Sequence, residues 1–107
     1  MSFLPGGQET TITGTAAATV VSSPAASTQR MVKTIRITNV SGVAVAYTLQ
    51  VNKAAAIFEL GREAALAAGA TTSIDRVVVL DATDESIEVV KTTAGELDVV
   101  AAYADRS

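Results

Sequence analysis

The sequence predicts an all-β domain, an antiparallel β-sandwich of jelly-roll-like or Ig-like type with about seven or eight short strands. Apolar and polar residues alternate along several short stretches, which is typical of half-buried strands. Turn residues separate these stretches at intervals of roughly 8–12 residues. Strands do not alternate with long helical patterns, so a parallel sheet is not expected. A chain of 107 residues favours a single domain.

The N-terminal residues 1–9 are predicted to form an extended arm with no core of its own, because they contain a Pro-Gly-Gly sequence. Such an arm is often ordered only against a neighbouring molecule, and a floppy tail is the alternative. The β-sandwich domain then spans residues 10–107. Its first strands are expected at residues 10–12 and 18–21, and Pro24 indicates the turn that follows.

The clearest period-two pattern lies in the segment from Met31 to Asn52. Residues 31–39 place Ile35 and Ile37 on one face, and residues 43–52 place bulky residues at odd positions and small or polar ones at even positions. Gly42 lies between the two runs, where a glycine tolerates a positive φ. The pattern therefore predicts an antiparallel hairpin with a well-specified register.

Further strands are predicted at residues 57–60, 71–74, 77–80, 86–91 and 97–103. The run 77–80 is apolar throughout, which suits a strand buried on both faces or one along a sandwich edge. Residues 61–69 have helical propensity, but helices of about two turns are marginal. We expect a loop or a single helical turn there, with a short helix as the alternative.

Composition argues against several classes of function. The net charge is −3 and no Lys/Arg cluster occurs, so binding to nucleic acid is not expected. The apolar runs are shorter than the ~20 residues of a membrane-spanning helix, and the N-terminus lacks a signal-peptide pattern. Histidine and cysteine are absent, which removes the commonest general base and all thiol chemistry. We expect neither enzymatic activity nor a cofactor.

The only acidic cluster is a weak candidate for a metal site. Asp81, Asp84 and Glu85 could offer oxygen ligands to Ca²⁺, although their spacing does not fit an EF-hand loop. The alternative is a β-turn in which the aspartate side chains accept hydrogen bonds from local backbone amides. The other acids are scattered. Glu88 and Asp98 fall on outward positions of predicted neighbouring strands, with no aromatic residue nearby to stack on a sugar, so a glycosidase pair is not expected.

Candidate partner-binding residues lie in two places. The arm carries Phe3, Leu4 and Pro5, and the strand near residue 33 carries a sparse basic stripe that includes Arg30 and Arg36. Arg36 falls on the polar, outward face of that strand. These residues are candidates for contact with another protein chain, and a solvated strand face is the alternative for the two arginines.

The order of segments from residue 32 to residue 103 resembles small β-sandwich structural proteins of tailed bacteriophage virions. In that pattern, Ile-x-Ile-x-Asn ends a strand, Leu-x-x-Gly-x-Thr follows, and Leu-Asp-x-x-Asp-x-Ile-x-Val precedes a closing strand. The matching positions are Ile35, Ile37 and Asn39, then Leu66, Gly69 and Thr71, then Leu80, Asp81, Asp84, Ile87 and Val89, and finally residues 97–103. The motif describes turns and core positions and contains no active site.

The resemblance implies a virion structural protein made in the host cytoplasm. It could be a capsid decoration or cement protein that binds the major capsid protein, or a tail, neck or fibre-associated component. Such proteins assemble as homo-oligomers, with a trimer as one expected form. A carbohydrate-binding β-sandwich module is the alternative from another class, although only 4% of the residues are aromatic and none is Trp.

Overall fold

The computed structural model describes residues 3–53, 56–75, 77–81 and 83–106, and the side chains of residues 3–5, 63 and 64 lie outside this description. Within these ranges the chain is all-β, with nine strands and no helix. The strands are β1 (Phe3–Ile12), β2 (Ala18–Val21), β3 (Gln29–Asn39), β4 (Val45–Lys53), β5 (Ala56–Leu66), β6 (Thr71–Ile74), β7 (Val78–Leu80), β8 (Glu85–Lys91) and β9 (Leu97–Arg106).

The strands form two antiparallel sheets that pack as a sandwich, as the sequence predicted. The first sheet has the order β1-β9-β3-β6, and β7 also pairs with β3. The second sheet has the order β2-β8-β4-β5. Every pairing in both sheets is antiparallel. No helix in the described part of the chain is long and apolar enough to span a membrane.

The core lies between the sheets and follows the period-two pattern. Ile35 and Ile37 of β3, Leu49 of β4, and Ile87 and Val89 of β8 are each at most 2% exposed. These positions face inward because side chains along a strand alternate between its two faces. The inward faces predicted for these strands are therefore confirmed.

The predicted hairpin between residues 31–39 and 43–52 is wrong, because β3 belongs to the first sheet and β4 to the second. The chain crosses between the sheets at Asn39, which is fully buried. Its Nδ2 donates to the carbonyl oxygens of Val43 (2.7 Å) and Leu66 (2.8 Å). Its Oδ1 accepts from the Ser41 amide at 3.0 Å. Alternation of apolar and polar residues is the same for two strands that face each other across a sandwich and for two strands paired in one sheet. The pattern therefore could not distinguish the two arrangements.

The loop or helical turn predicted at residues 61–69 is also wrong for most of that segment. β5 continues to Leu66 and pairs with β4 over nearly its whole length. The pairing has register shifts between Leu49 and Gln50 and between Val45 and Tyr47. Ladder hydrogen bonds and packing against β4 override the weak helical propensity of the Ala- and Glu-rich sequence.

Residues 3–9 are the first part of β1 and pair with β9 of the same chain. The register runs without a shift from Phe3 opposite Arg106 to Ile12 opposite Leu97. The role of residues 1–9 as an arm that reaches a neighbouring molecule stays a prediction. The pairing shows where these residues lie in a single copy of the chain.

The two flanks of the sandwich follow from the strand orders. β1 and β2 are edge strands of different sheets and contact each other. The Gln8 Oε1 accepts hydrogen bonds from the Ser22 amide (2.9 Å) and hydroxyl (3.0 Å) across this flank. The opposite flank is formed by β5 of the second sheet and by β6 and β7 of the first. We call residues 3–12 and 18–22 the closed flank, and residues 56–66, 71–75 and 77–80 the open flank.

Candidate interaction surfaces

Arg30, which is predicted to bind a partner, makes several contacts within the chain, and its role in partner binding stays a prediction. Its Nε and Nη2 donate to the two carboxylate oxygens of Asp105 at 2.8 and 3.0 Å. Its Nη1 donates to the Ser22 carbonyl at 2.8 Å. The guanidinium also lies 4.1 Å from the centroid of the Tyr103 ring. These contacts tie β3, β9 and the end of β2 together.

The ion pair changes the titration of both partners. The hydrogen bond from Arg30 lowers the pKa of Asp105, which keeps the carboxylate ionised to lower pH. The same hydrogen bond raises the pKa of Arg30. The side chains are 13% and 23% exposed, so solvent screens this pair only in part. A bidentate, partly buried pair of this kind fixes geometry within the chain.

The Tyr103 ring lies between Arg30 and the backbone of β1. A Cβ atom added at Gly6 would lie 2.7 Å from Cε1 of Tyr103. Only a residue without a side chain lets the ring approach β1 this closely. Gly6 therefore allows β1 to pack closely against the Tyr103 ring.

Arg36 lies on the exposed outer face of the first sheet, as predicted. In the register it stands beside Val100 of β9, which is 45% exposed, and Val100 stands beside Glu9 of β1. The neighbouring row contains Thr38, whose hydroxyl hydrogen-bonds that of Thr71 at 2.9 Å. The face therefore presents Arg36, Val100 and Glu9 side by side to solvent.

A shallow depression on the same face lies between β1 and β9. It is lined by Glu9, Thr10, Thr11, Asp98, Val99 and Val100 and has a volume of about 120 Å³. Small-molecule sites have volumes of roughly 300–1,000 Å³. The depression is too small to hold a sugar ring in the manner of a typical binding pocket.

The predicted site residues Phe3, Leu4 and Pro5 have backbone positions in β1, but their side chains lie outside the described residues. Their role in binding a partner stays a prediction. The backbone of these three residues pairs with residues 104–106 of β9.

The acidic residues Asp81, Asp84 and Glu85 are not gathered around a common centre. Glu85 accepts a hydrogen bond from the Asp81 amide at 3.3 Å, and its carboxylate lies 3.5 Å from Nζ of Lys53. In the described parts of the chain, no group of three or more His, Cys, Asp or Glu side chains is placed to hold a metal ion. The backbone contact to Glu85 resembles the turn alternative, with the glutamate as the acceptor. The Ca²⁺ site stays a prediction.

The open flank exposes large apolar side chains. Ile57 and Phe58 of β5 are 52% and 55% exposed, and Val77 and Val79 are 65% and 40% exposed. Phe58 stands opposite Val51, a buried residue, and therefore occupies a core-facing position. A core-facing phenylalanine that is half exposed means that the two sheets do not seal this flank.

The sequence interpretation did not identify these residues, although a signal is present. Ile57 and Phe58 are consecutive, and consecutive side chains in a strand point to opposite faces. One of them must therefore leave the core of a two-layer sandwich. The run 77–80 was predicted to lie in a buried strand or along a sandwich edge. The edge alternative is confirmed, since β7 pairs only with β3 among the described strands.

No protein-family model matches the chain, and no curated protein matches it either. Among solved structures, 94% of this chain aligns with 38% of a chain in the structure of the infectious bursal disease virus Gx strain, at 14% sequence identity and a TM-score of 0.49. A second alignment covers 95% of this chain and 84% of a chain in the cyanophage Pam1 capsid asymmetric unit, at 16% identity and a TM-score of 0.48. At these identities and TM-scores the likeness carries no argument about function.

Proposed function

We propose that the chain is a non-enzymatic structural protein of a virus particle, and specifically a capsid decoration or cement protein of a tailed bacteriophage. The observation that carries the proposal is the open flank, where Ile57, Phe58, Val77 and Val79 are each at least 40% exposed. Phe58 is the clearest of these residues, because a large core-facing side chain that stays half exposed marks a surface that another protein can cover.

The outer face of the first sheet offers a second surface for the same role. It combines an exposed apolar residue, Val100, with Arg36 and Glu9 at its sides. A face with an apolar centre and polar surroundings has the composition of a protein–protein interface. Many copies on one particle would raise the total binding strength even if each contact were weak.

The phage assignment rests on the sequence resemblance. Its motif positions have structural roles in the fold: Asn39 holds the crossing between the sheets, and Gly69 adopts a φ of 76°, which favours glycine. The proposed partners are other virion proteins, with the major capsid protein as the first candidate. A tail, neck or fibre-associated position is the alternative within the same class.

Imaging of virus particles purified from the source of this chain tests the proposal. We expect density for the sandwich on the outside of the head, with either the open flank or the outer face of the first sheet against the capsid protein. Density on the tail, neck or fibre would support the alternative. Particles that lack the chain, combined with several strong hits on a glycan array, would contradict the proposal and favour a carbohydrate-binding module.

The arm prediction has its own test, the deletion of residues 1–9. We expect the deleted chain to lose binding to particles, as measured by co-sedimentation, if the arm contacts the capsid. Deletion of residues 1–2 alone is the matched control, because it leaves β1 complete from Phe3 onward. Circular dichroism must show that the deleted chain is still folded, since residues 3–9 also pair with β9. Unchanged binding by the deleted, folded chain would remove the arm from the interface.

A further inference from the structure

Among the described strands, β5 is the longest one at the edge of a sheet. It has 11 residues and pairs only with β4. The other edges offer less backbone to a partner: β2 and β6 have 4 residues each, and β7 has 3. β1 is also long, but it contains Pro5, which has no amide hydrogen to donate. Long unpaired edges are where strands from other molecules add to a sheet.

Two opposite charges lie together in the middle of β5. Glu59 stands opposite Gln50, and Arg62 stands opposite Thr48, so both face the outer side of the second sheet. The Arg62 Nε lies 2.8 Å from the Glu59 Oε1, and the two side chains are 69% and 45% exposed. The pair is therefore accessible to a second strand.

We propose that two copies of this chain associate by pairing β5 with β5 in antiparallel orientation, about a two-fold axis between Leu60 and Gly61. In this register Glu59 of each copy stands directly opposite Arg62 of the second copy. A two-fold axis creates this contact twice. Direct partners in an antiparallel pair lie on the same face. Glu59 and Arg62 both face outward, although they are three residues apart, because the register shift at Leu60 interrupts the alternation there.

The pairing includes the exposed apolar residues of β5. In this register Ile57 stands opposite Ala64 and Phe58 opposite Glu63 of the second copy. Backbone hydrogen bonds along the edge and partial burial of Ile57 and Phe58 supply free energy, whereas the exposed ion pairs contribute little and mainly fix the register. The second sheet of one copy and the second sheet of the other then form one continuous sheet across the axis.

The two-fold symmetry of this pairing predicts a dimer. A two-fold contact uses the same surface on both copies and closes with two chains. A trimer would need a head-to-tail contact between two different surfaces. The pairing goes beyond the virion role and does not depend on it, since it follows from β5 alone. A monomeric chain would therefore leave the virion role standing. A dimer would use Ile57 and Phe58 and leave Val77, Val79 and the outer face of the first sheet for contact with the capsid protein.

Charge reversal tests the register by light scattering on the purified chain. We expect the unchanged chain to have the mass of two copies. Glu59→Arg alone or Arg62→Glu alone should place four like charges around the axis and weaken association at least about tenfold. The double variant E59R/R62E should restore it. Lys33→Glu is the matched control, because it reverses an exposed charge on the other sheet and should leave the mass unchanged.

A cross-link at the axis gives a second, independent readout. The chain contains no cysteine, and a Cβ at Gly61 would meet no heavy atom within 4 Å. Gly61→Cys should therefore fold normally and form a disulfide-linked dimer on oxidation. Gly42→Cys, also in open space, is the control and should remain uncross-linked. A mass of one or three chains, or a folded double variant that stays monomeric, would overturn the pairing.

Discussion

The two flanks of the sandwich solve the same physical problem in different ways. Each sheet ends in an edge strand on each flank, and the gap between the sheets must be covered there. On the closed flank, β1 and β2 contact each other, and Gln8 bridges them through Ser22. On the open flank, Phe58 occupies a core-facing position and is still 55% exposed. The closed flank is complete in one copy of the chain, and the open flank is not.

The difference shows which flank is held together by contacts within the chain and which flank leaves surface for another molecule. Around the closed flank, Arg30 contacts Asp105, Ser22 and Tyr103, and Tyr103 packs on Gly6. A surface whose polar groups already have partners has little to offer another molecule. The open flank has exposed apolar side chains and an accessible ion pair. Apart from the proposed role of residues 1–9 as a binding arm, we therefore expect mutations on the closed flank to change stability and mutations on the open flank to change association.

The largest expected loss of stability comes from a change at Asn39, next to the end of the open flank at Leu66. Asn39→Ala should lower the free energy of unfolding by about 3 kcal/mol, because it leaves the buried carbonyls of Val43 and Leu66 without their hydrogen-bond donor. Leu66 ends β5, so the open flank is fixed at this end and open only near Phe58. Urea unfolding measures the loss. Val40→Ala, at the exposed neighbouring position, is the control and should cost less than about 0.5 kcal/mol.

A loss below about 1 kcal/mol for Asn39→Ala would mean that water or a relaxed backbone satisfies these carbonyls. In that case Asn39 would not hold the end of β5, and the whole flank would count as open. The comparison between the flanks would then extend over the full length of β5.

The sequence predicted the sandwich because alternation reports on burial directly. Ile87 and Val89 were expected to face inward, and both are fully buried. Alternation does not report which strand lies beside which. The segments 31–39 and 43–52 were expected in one hairpin, yet Asn39 takes the chain from one sheet to the other. The deciding feature is the set of hydrogen bonds made by one buried side chain, which a local pattern does not contain.

The candidate site was less predictable than the fold. Arg30 looked like a surface charge because its partner, Asp105, is distant in sequence. Residues 61–66 looked like a loop or a helical turn because Ala, Glu and Arg have helical propensity. Their position in β5 depends on β4, and so does the exposed edge that β5 provides. Partners that are distant in the chain decide both outcomes.

The next largest effect compares a buried residue of the closed flank with an exposed one of the open flank. Val20→Ala should cost about 2 kcal/mol, because Val20 is fully buried and the change leaves a cavity. Phe58→Ala should cost less than about 0.5 kcal/mol in a single copy. Both are measured by urea unfolding in the Glu59→Arg background, which keeps association out of the result. Equal losses would mean that Phe58 is buried in solution and that the flanks are alike.

Two glycines at equivalent edges sharpen the comparison further. Gly6→Ala should cost about 1 kcal/mol, because the new Cβ would lie too close to the Tyr103 ring, and the ring or β1 must shift to make room. Gly61→Ala should change stability by no more than about 0.5 kcal/mol, or raise it slightly, since its Cβ has open space. Thermal unfolding of both variants measures the contrast. A larger loss for Gly61→Ala than for Gly6→Ala would reverse the assignment of the two flanks.

The smallest expected effect is a pH dependence confined to the closed flank. The hydrogen bond from Arg30 lowers the pKa of Asp105 from 3.8, so the pair stabilises the fold above that pH and loses its effect as the pH falls through the lowered value. Asp105→Asn should cost about 1 kcal/mol at pH 7, and this difference from the unchanged chain should shrink steadily below about pH 4. Urea unfolding at a series of pH values measures it. In an Arg30→Met background the same substitution should lose most of its pH dependence, because the hydrogen bond that lowers the pKa of Asp105 is gone. A difference that stays constant down to pH 2 would show that Asp105 acts by packing and that charge does not hold the closed flank together.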